Sequence, residues 1–116
     1  MLSNYRVRDS VECRIPHEEN PSNYDYRAGL ILKELPNNEF AIAKVTKTDR
    51  RGKNPGIWIE RNSMEGRNMK LKYDSFIQLD RIVVVQQYGI RRLFGACSQV
   101  LLETIKEVCT KEGISY

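Results

Sequence analysis

The chain has 116 residues, of which 41% are hydrophobic and 29% are charged, and its formal net charge is +4. This length predicts one domain over residues 1–116 with a core over about 9–112, and the composition argues against a wholly disordered chain. We expect no transmembrane helix, because no apolar run of about 18 residues is present. The N-terminus lacks the apolar stretch of a secretory signal, so the default expectation is a cytoplasmic protein.

Three strands are predicted in the first half of the chain. Residues 9–15 alternate between apolar and polar side chains, as in a half-buried strand. Residues 16–25 form a loop long enough to cover a site. Two further strands, 27–34 and 40–46, flank a turn in which proline fixes φ and asparagine tolerates a left-handed backbone, so they form a hairpin.

The second half predicts more short strands and then one helix. Ser98 is a plausible N-cap, and apolar residues recur at helical spacing from there up to Gly113. Before it, residues 61–72 are irregular apart from one helical turn near Ser63, and a strand is interrupted near Asp80. The predicted strands are 56–60, 75–79, 81–86 (continuous with 75–79 or separate from it) and 90–94.

Six or seven short strands with one C-terminal amphipathic helix indicate a mainly β fold. Because the strands are short and joined by irregular loops, we expect a small, strongly bent barrel with the helix packed on one side.

Arg27 and Thr46 are the two candidate catalytic residues. Arg27 is at the start of the second predicted strand and Thr46 at the end of the third. If these strands pair antiparallel, both side chains lie at the same edge of the sheet. A guanidinium can donate to two phosphate oxygens and a hydroxyl can hold a phosphate or relay a proton, so the pair suits phosphodiester chemistry. The alternatives are an arginine paired with Asp25 or Glu39, and a threonine that merely favours a strand.

A basic segment follows the third strand. Basic residues outnumber acidic ones eight to three between Lys47 and Lys72, as expected of a surface that meets a phosphate backbone. A solvated loop on an ordinary basic protein is the alternative. The candidate substrate-binding residues of this segment are Lys47, Thr48, Arg50, Arg51 and Lys53.

Three more residues are candidates for substrate binding. His17 is on the first loop and is the natural general base at neutral pH, although most loop histidines are simply solvated. Tyr26 can stack on an unpaired base, against the stronger alternative of packing within the hairpin. Asp80 can orient Arg27 or bind a base edge, or it can simply end a strand.

The sequence indicates no metal and no cofactor. Cys13, Cys97 and Cys109 are odd in number, widely spaced and without a Cys-x-x-Cys motif, and His17 does not complete a zinc site with them. We expect Cys13 and Cys109 to be buried thiols. A thiol nucleophile with His17 as base has no supporting local signature, and no carboxylate cluster suits magnesium.

The order and spacing of five segments resemble the MazF/PemK family of bacterial toxins. Ala28 stands where that family usually has proline, Gln78 falls where some relatives carry an arginine, and residues 81–86 differ from the usual pattern. The matching segments are 9–13 (DSVEC), 26–32 (YRAGLIL), 43–48 (AKVTKT), 72–82 (KYDSFIQLDRI) and 95–98 (GACS).

The resemblance implies an SH3-like, CcdB-like barrel and a metal-independent endoribonuclease that cleaves single-stranded RNA. It further implies products with a 2′,3′-cyclic phosphate and a 5′-hydroxyl, a homodimer, and a toxin held by a cognate antitoxin. It assigns catalysis to Arg27 and Thr46.

Two other functions stay open. The unusual segment after Asp80 is consistent with a catalytically inactive protein on the same barrel, for example a phage-encoded inhibitor that binds a protein or nucleic-acid partner. The basic charge is also consistent with a module that binds nucleic acid without cutting it.

Overall fold

One antiparallel sheet of six strands runs through residues 4–116, the part of the chain that the computed structural model describes. In spatial order the strands are β4-β5-β3-β2-β1-β6, and a short helix and a C-terminal helix complete the fold. The elements are β1 (Asp9–Pro16), β2 (Tyr24–Leu35), β3 (Glu39–Thr46), β4 (Gly56–Ile59), α1 (Met64–Asn68), β5 (Ser75–Gln86), β6 (Ile90–Ala96) and α2 (Gln99–Glu112). The mainly β, barrel-like fold with a C-terminal helix is therefore confirmed.

The β2–β3 hairpin forms where it was predicted. Its connection is a 3₁₀ turn, Pro36–Asn38, in which Asn37 and Asn38 have φ values of 64° and 58°. Asparagine tolerates this left-handed region better than most residues because its short polar side chain bonds locally. The register shifts by one residue between Ile31 and Lys33, and beyond this irregularity Gly29 lies opposite Lys44.

Strand β2 begins three residues earlier than predicted. Tyr24 and Tyr26 pair with Pro16 and Arg14 of β1, and these contacts extend the ladder beyond Arg27. Arg27 therefore lies inside a strand, opposite Cys13, rather than at its entrance. The loop between β1 and β2 shrinks accordingly to residues 17–23.

Strand β5 is continuous but irregular at its centre. Ala43 of β3 pairs with Ile82, whereas the next residue, Lys44, pairs with Gln78. Residues 79–81 are thus extra on the β5 side, and a bulge of this kind bends the strand and redirects side chains. The interruption predicted near Asp80 is this bulge.

The curled sheet buries side chains on both of its faces. On one face Leu30, Val45 and Ile77 pack with α2, and on the other Ile31 and Ile42 form a second cluster. Burial on both faces explains why β2 and β3 read as nearly continuous apolar runs rather than as alternating strands.

Helix α2 has the predicted caps. The Ser98 side chain accepts a hydrogen bond from the Leu101 backbone N–H at 3.0 Å, and Gly113 ends the helix with φ 70°. The helical turn predicted near Ser63 is α1, with Ser63 as its N-cap. Neither helix of residues 4–116 is long and apolar enough to cross a membrane.

All three cysteines are free and buried. Burial raises the pKa of the Cys13 thiol to about 12 and that of Cys97 to about 11. Thiols with such pKa values are almost fully protonated at neutral pH and are therefore poor nucleophiles. The expectation of buried thiols at Cys13 and Cys109 is confirmed.

Candidate active site

The ends of β2 and β3 bring Arg27 and Thr46 to the same edge of the sheet. The β2–β3 ladder ends at the pair Gly29–Lys44, and Arg27 and Thr46, each two residues beyond that pair, both line one cleft. Two clefts open at this edge. Arg27, Lys44 and Arg50 line both of them, and we call these three cations the shared ridge.

The first cleft has a volume of about 520 Å³. On one side of the ridge it is lined by the loop after β1 and by the bulge of β5. Its charges are mixed, because carboxylates approach the cations of the ridge from both of these segments. Its polar lining, apart from the ridge, includes His17, Glu18, Asp25, Gln78, Asp80 and Arg81.

Asp25 links His17 to Arg27. One carboxylate oxygen, Oδ2, lies 2.9 Å from His17 Nε2 and accepts a hydrogen bond from an Arg27 guanidinium nitrogen at 3.3 Å. Asp25 and Arg27 are two residues apart in β2 and so point to the same face of the sheet. The hydrogen bond from His17, followed by that from Arg27, holds the pKa of Asp25 below its usual range, so the carboxylate is ionised at neutral pH.

Lys44 was missed by the sequence analysis. It is half-buried on β3 in the middle of the ridge. Burial, together with the neighbouring charges of Arg27, Arg81 and Arg50, lowers its pKa, while Glu18 acts in the opposite direction. The signal was present: Lys44 is the one charged residue in an otherwise apolar run from Phe40 to Val45, and a buried strand seldom carries such a residue unless it is used.

Arg81 was also missed as a site residue. Its guanidinium donates a hydrogen bond to the Pro16 carbonyl, and its Nε lies 3.4 Å from a Glu18 carboxylate oxygen. The bulge of β5 turns this largely buried side chain toward the loop. Arg81 therefore ties the loop after β1 to the floor of the first cleft.

Asp80 does not orient Arg27, which corrects one of the two roles expected of it. Its carboxylate accepts hydrogen bonds from Asn54 Nδ2 at 2.8 Å and from Gln78 Nε2 at 2.9 Å. The carboxylate that accepts a hydrogen bond from Arg27 is that of Asp25, two residues before it in β2. Asp80 still lines the first cleft, where its base-binding role remains a prediction.

Thr46, the last residue of β3, is tied to the turn that follows the strand. Its Oγ1 accepts a hydrogen bond from the Thr48 backbone N–H at 3.2 Å, which leaves the hydroxyl proton free to donate. Both threonines line the second cleft.

The loop cations are not all gathered at the site. Arg50 is on the shared ridge and Lys47 lines the second cleft, but Arg51 and Lys53 line neither. Arg51 is taken up by Asp49, at 2.7 Å, and by the Trp58 ring, whose centroid lies 4.7 Å from the guanidinium carbon. The prediction that Arg51 and Lys53 grip a substrate beside Arg50 thus finds no support from this geometry.

The second cleft, of about 480 Å³, lies on the other side of the ridge. Tyr26 is part of its wall, but the Arg91 guanidinium lies 3.6 Å from the Tyr26 ring centroid and Arg14 Nε donates to the Tyr26 hydroxyl at 3.1 Å. This covered ring fits the alternative of packing better than that of base stacking. Tyr73, on the opposite wall, is exposed and has Lys47 5.1 Å from its ring centroid.

Within residues 4–116, no group of three or more His, Cys, Asp or Glu side chains is arranged to hold a metal ion.

No protein-family model matches the chain, and no curated protein matches its sequence. Among solved structures, it is similar to an endoribonuclease from Mycobacterial species, with a TM-score of 0.64 over 100% of this chain and 99% of the other. The two sequences are 14% identical, so the similarity is one of fold. The chain has the same fold as that endoribonuclease along its whole length.

Proposed function

We propose that this protein is an endoribonuclease that cleaves single-stranded RNA at the shared ridge. The observation that carries the proposal is the convergence of Arg27, Lys44 and Arg50 on the crest between two clefts, with the His17–Asp25 pair beside them. A strand of RNA crossing the crest would have one phosphate against three cations. The fold similarity to an endoribonuclease supports the same conclusion.

The reaction that suits these groups needs no external nucleophile. The ribose 2′-hydroxyl attacks the adjacent phosphorus, and the bond from phosphorus to O5′ of the next nucleotide breaks. The 2′-hydroxyl proton passes to a base and O5′ takes a proton from an acid. The products carry a 2′,3′-cyclic phosphate and a 5′-hydroxyl.

Arg27 stabilises the negative charge that develops on the non-bridging oxygens of the phosphorane. Its forked donors match two non-bridging oxygens, and donors placed at a developing oxyanion typically accelerate a reaction by about 100- to 1,000-fold. Asp25 fixes the guanidinium from one side, through the 3.3 Å hydrogen bond, and leaves its other donors for the substrate.

His17 is the base in this proposal. An ionised carboxylate can only accept a hydrogen bond, so Asp25 requires the hydrogen to be on Nε2 of the neutral ring. Nδ1 then keeps a lone pair that can take the 2′-hydroxyl proton. The pairing orients the ring and stabilises the imidazolium that forms.

Lys44 is the acid. A lysine with a lowered pKa gives up its proton more readily than an ordinary one, and the causes of the lowering here are burial and neighbouring arginines. It also adds positive charge to the ridge while protonated. Thr46, whose hydroxyl proton is free, donates to the phosphate rather than acting as a base.

The finer parts of the proposal come from the resemblance to MazF/PemK toxins. They are metal independence, action as a homodimer, and inhibition by a cognate antitoxin in the cytoplasm. Three free, buried cysteines suit a reducing compartment. Light scattering of the purified protein tests the dimer.

The experiment that tests the function is incubation of a long single-stranded RNA with the wild-type protein and with Arg27→Ala, in EDTA, with every new 5′ end mapped. Discrete cuts by the wild type that vanish in the variant are expected. A folded wild-type protein that leaves several unstructured RNAs intact would overturn the proposal.

One observation favours a second candidate, a protein that binds its partner without cutting it. Four carboxylates, Glu18, Glu19, Asp25 and Asp80, line the first cleft and oppose the approach of a phosphate. In that case Arg27→Ala would leave the biological activity unchanged, and the wild type would retain a partner in a pull-down while producing no new RNA ends.

A further inference from the structure

The second cleft is built by a close approach of two backbones. Its outer wall is the segment from Met69 to Tyr73, which leads from α1 to β5. This segment begins against β6 at Gly95, where an added Cβ would come within 2.1 Å of the Asn68 carbonyl oxygen. Only glycine permits that distance, so the position of this wall depends on Gly95.

Ser10 is an unexplained polar group in the inner wall. The residue is 1% exposed, and its Oγ has no hydrogen-bond partner anywhere in residues 4–116. A buried hydroxyl without a partner destabilises a fold, because it has lost its hydrogen bonds to water. Since Ser10 lines the cleft, a bound molecule with a donor or acceptor can supply the missing bond.

The charge of the second cleft is one-sided. Beyond the shared ridge it has three lysines, Lys47, Lys70 and Lys72, and its one carboxylate, Glu12, is already paired with Arg91 at 2.7 Å. None of the three lysines forms an ion pair within residues 4–116. Unpaired lysines around a concave surface favour a phosphate.

An aromatic platform stands beside these lysines. Lys47 lies 5.1 Å from the Tyr73 ring centroid, but Lys47 is an exposed lysine and Tyr73 is 58% exposed, so a flat group can stack on the ring by displacing a surface side chain, without rearrangement of the core. Stacking on an exposed aromatic ring is the usual way in which an unpaired nucleobase is held, and it tolerates any base. Tyr73, Ser10 and the lysines together present a ring, a buried polar atom and positive charge in one cleft.

We propose that the second cleft is a nucleotide-binding subsite for the residue of single-stranded RNA that adjoins the scissile phosphate. The base stacks on Tyr73, a polar atom of the nucleotide bonds to Ser10 Oγ, and the outer phosphate lies among Lys47, Lys70 and Lys72. This inference rests on the proposed function, because the shared ridge fixes where the cut phosphate lies. Binding in the cleft, however, does not itself require catalysis.

The first test measures the affinity of short, fluorescently labelled 2′-O-methyl RNA, which lacks the attacking hydroxyl and cannot be cut. We expect Tyr73→Ala to weaken binding by at least about fivefold, the loss of one stacked base, and Tyr73→Phe to retain it. Tyr88→Ala is the matched control, because Tyr88 is an exposed tyrosine that lines neither cleft, and it should bind as the wild type does.

Ser10→Ala isolates the buried hydroxyl. It removes an atom without a partner, so the variant should remain folded with an unchanged or higher Tm while binding RNA several-fold more weakly. If Tyr73→Ala and Ser10→Ala both bind with wild-type affinity, the subsite is overturned.

A measurement on the wild-type protein keeps the test valid even if a variant misfolds. Titration with nucleoside 5′-monophosphates, followed by amide NMR, should shift Ser10 and residues 70–73 before it shifts residues 17–25. Inorganic phosphate alone should shift the lysines but not Ser10. Shifts confined to residues 17–25 would contradict the subsite.

The outcomes separate this inference from the proposed function. If the protein cleaves RNA, and substitution of Tyr73 or Ser10 changes neither the RNA affinity nor the cut sites, the subsite is overturned and the ribonuclease proposal stands. RNA binding that depends on both residues, without any cleavage, would overturn the ribonuclease and leave the subsite. If free monophosphates bind as tightly as the oligonucleotide, the ligand is a free nucleotide and the RNA subsite is overturned.

Discussion

The two clefts share three cations and differ in everything around them. In the first cleft four carboxylates and His17 face the arginines and Lys44, so that Asp25 links His17 to Arg27 and Glu18 pairs with Arg81. In the second, lysines that form no ion pair in the described part of the chain stand beside an exposed ring. Paired charges fix side chains and shift pKa values, whereas unpaired ones attract a ligand. The comparison suggests that proton transfer belongs to the first cleft and substrate binding to the second.

Removal of Arg27 should have the largest effect. We expect Arg27→Ala to lower kcat/KM for RNA cleavage by about 100- to 1,000-fold, because the charge on the phosphorane loses its main donor. Arg51→Ala is the control: the two side chains are similarly exposed, 58% and 60%, but Arg51 faces Asp49 and Trp58 instead of a cleft. If both variants lose the same factor in kcat/KM, the net charge of the protein and not the position of Arg27 on the shared ridge determines the activity, which would contradict the assignment.

Lys44 should show a conflict between activity and stability. Lys44→Met removes a proton donor and should lower kcat by about 100-fold. It also removes a half-buried cation from beside Arg27 and Arg81, so the Tm should rise by roughly 2–5 °C in thermal unfolding. A variant with a lower Tm and unaltered kcat would contradict the assignment.

The pH profile sharpens that test. Lys44 must be protonated to act as an acid, and its pKa lies below the ordinary lysine value of 10.5. As the pH rises, cleavage should therefore fall earlier than an ordinary lysine would allow. Lys44→Arg keeps the positive charge but cannot give up its proton, so this alkaline limb should disappear together with most of the activity. An unmoved limb would assign it to another group.

Removal of the Thr46 hydroxyl should have a smaller effect than either change. Thr46→Val should lower kcat by about tenfold, because one hydrogen bond to the phosphate is lost while Arg27 remains. The Thr48 N–H also loses its acceptor, so Thr46→Ser is the control that restores the hydroxyl. A loss as large as that of Arg27→Ala would make Thr46 the central residue.

Arg81 should affect substrate binding only, and by the smallest amount. Arg81→Ala frees the loop of residues 17–23 from the bulge, so KM should rise several-fold with little change in kcat. Hydrogen exchange of that loop should accelerate in the variant, while exchange in β3 stays unchanged. An unchanged loop would mean that Arg81 does not tie it down.

The hairpin and the helix could be predicted because local chemistry determines them. Pro36 and Asn37 define the turn, and Ser98 and Gly113 define the ends of α2. Antiparallel pairing across that turn then brings Arg27 and Thr46 to one edge. The information needed for this step lies within about twenty residues of sequence.

The bulge of β5, the covered ring of Tyr26 and the second cleft depend on contacts between distant parts of the chain. The bulge that turns Arg81 toward Pro16 arises only when β5 pairs with β3, and Arg91 covers Tyr26 only when β6 pairs with β1. The wall of the second cleft likewise requires Asn68 to approach Gly95. None of these contacts has a local signal, and for that reason neither the role of Arg81 in tying down the loop of residues 17–23 nor the second cleft was predicted.

The most direct test of the central claim uses one RNA oligonucleotide that spans a mapped cut site, and a twin with a single 2′-deoxyribose on the 5′ side of the cut. Single-turnover cleavage of both is followed with wild-type protein and Arg27→Ala, and mass spectrometry identifies the product ends. The account predicts that only the wild type cuts, that it cuts only the all-ribose strand, and that it leaves a 2′,3′-cyclic phosphate. Cleavage of the deoxy-substituted twin, or full activity of Arg27→Ala, would contradict it.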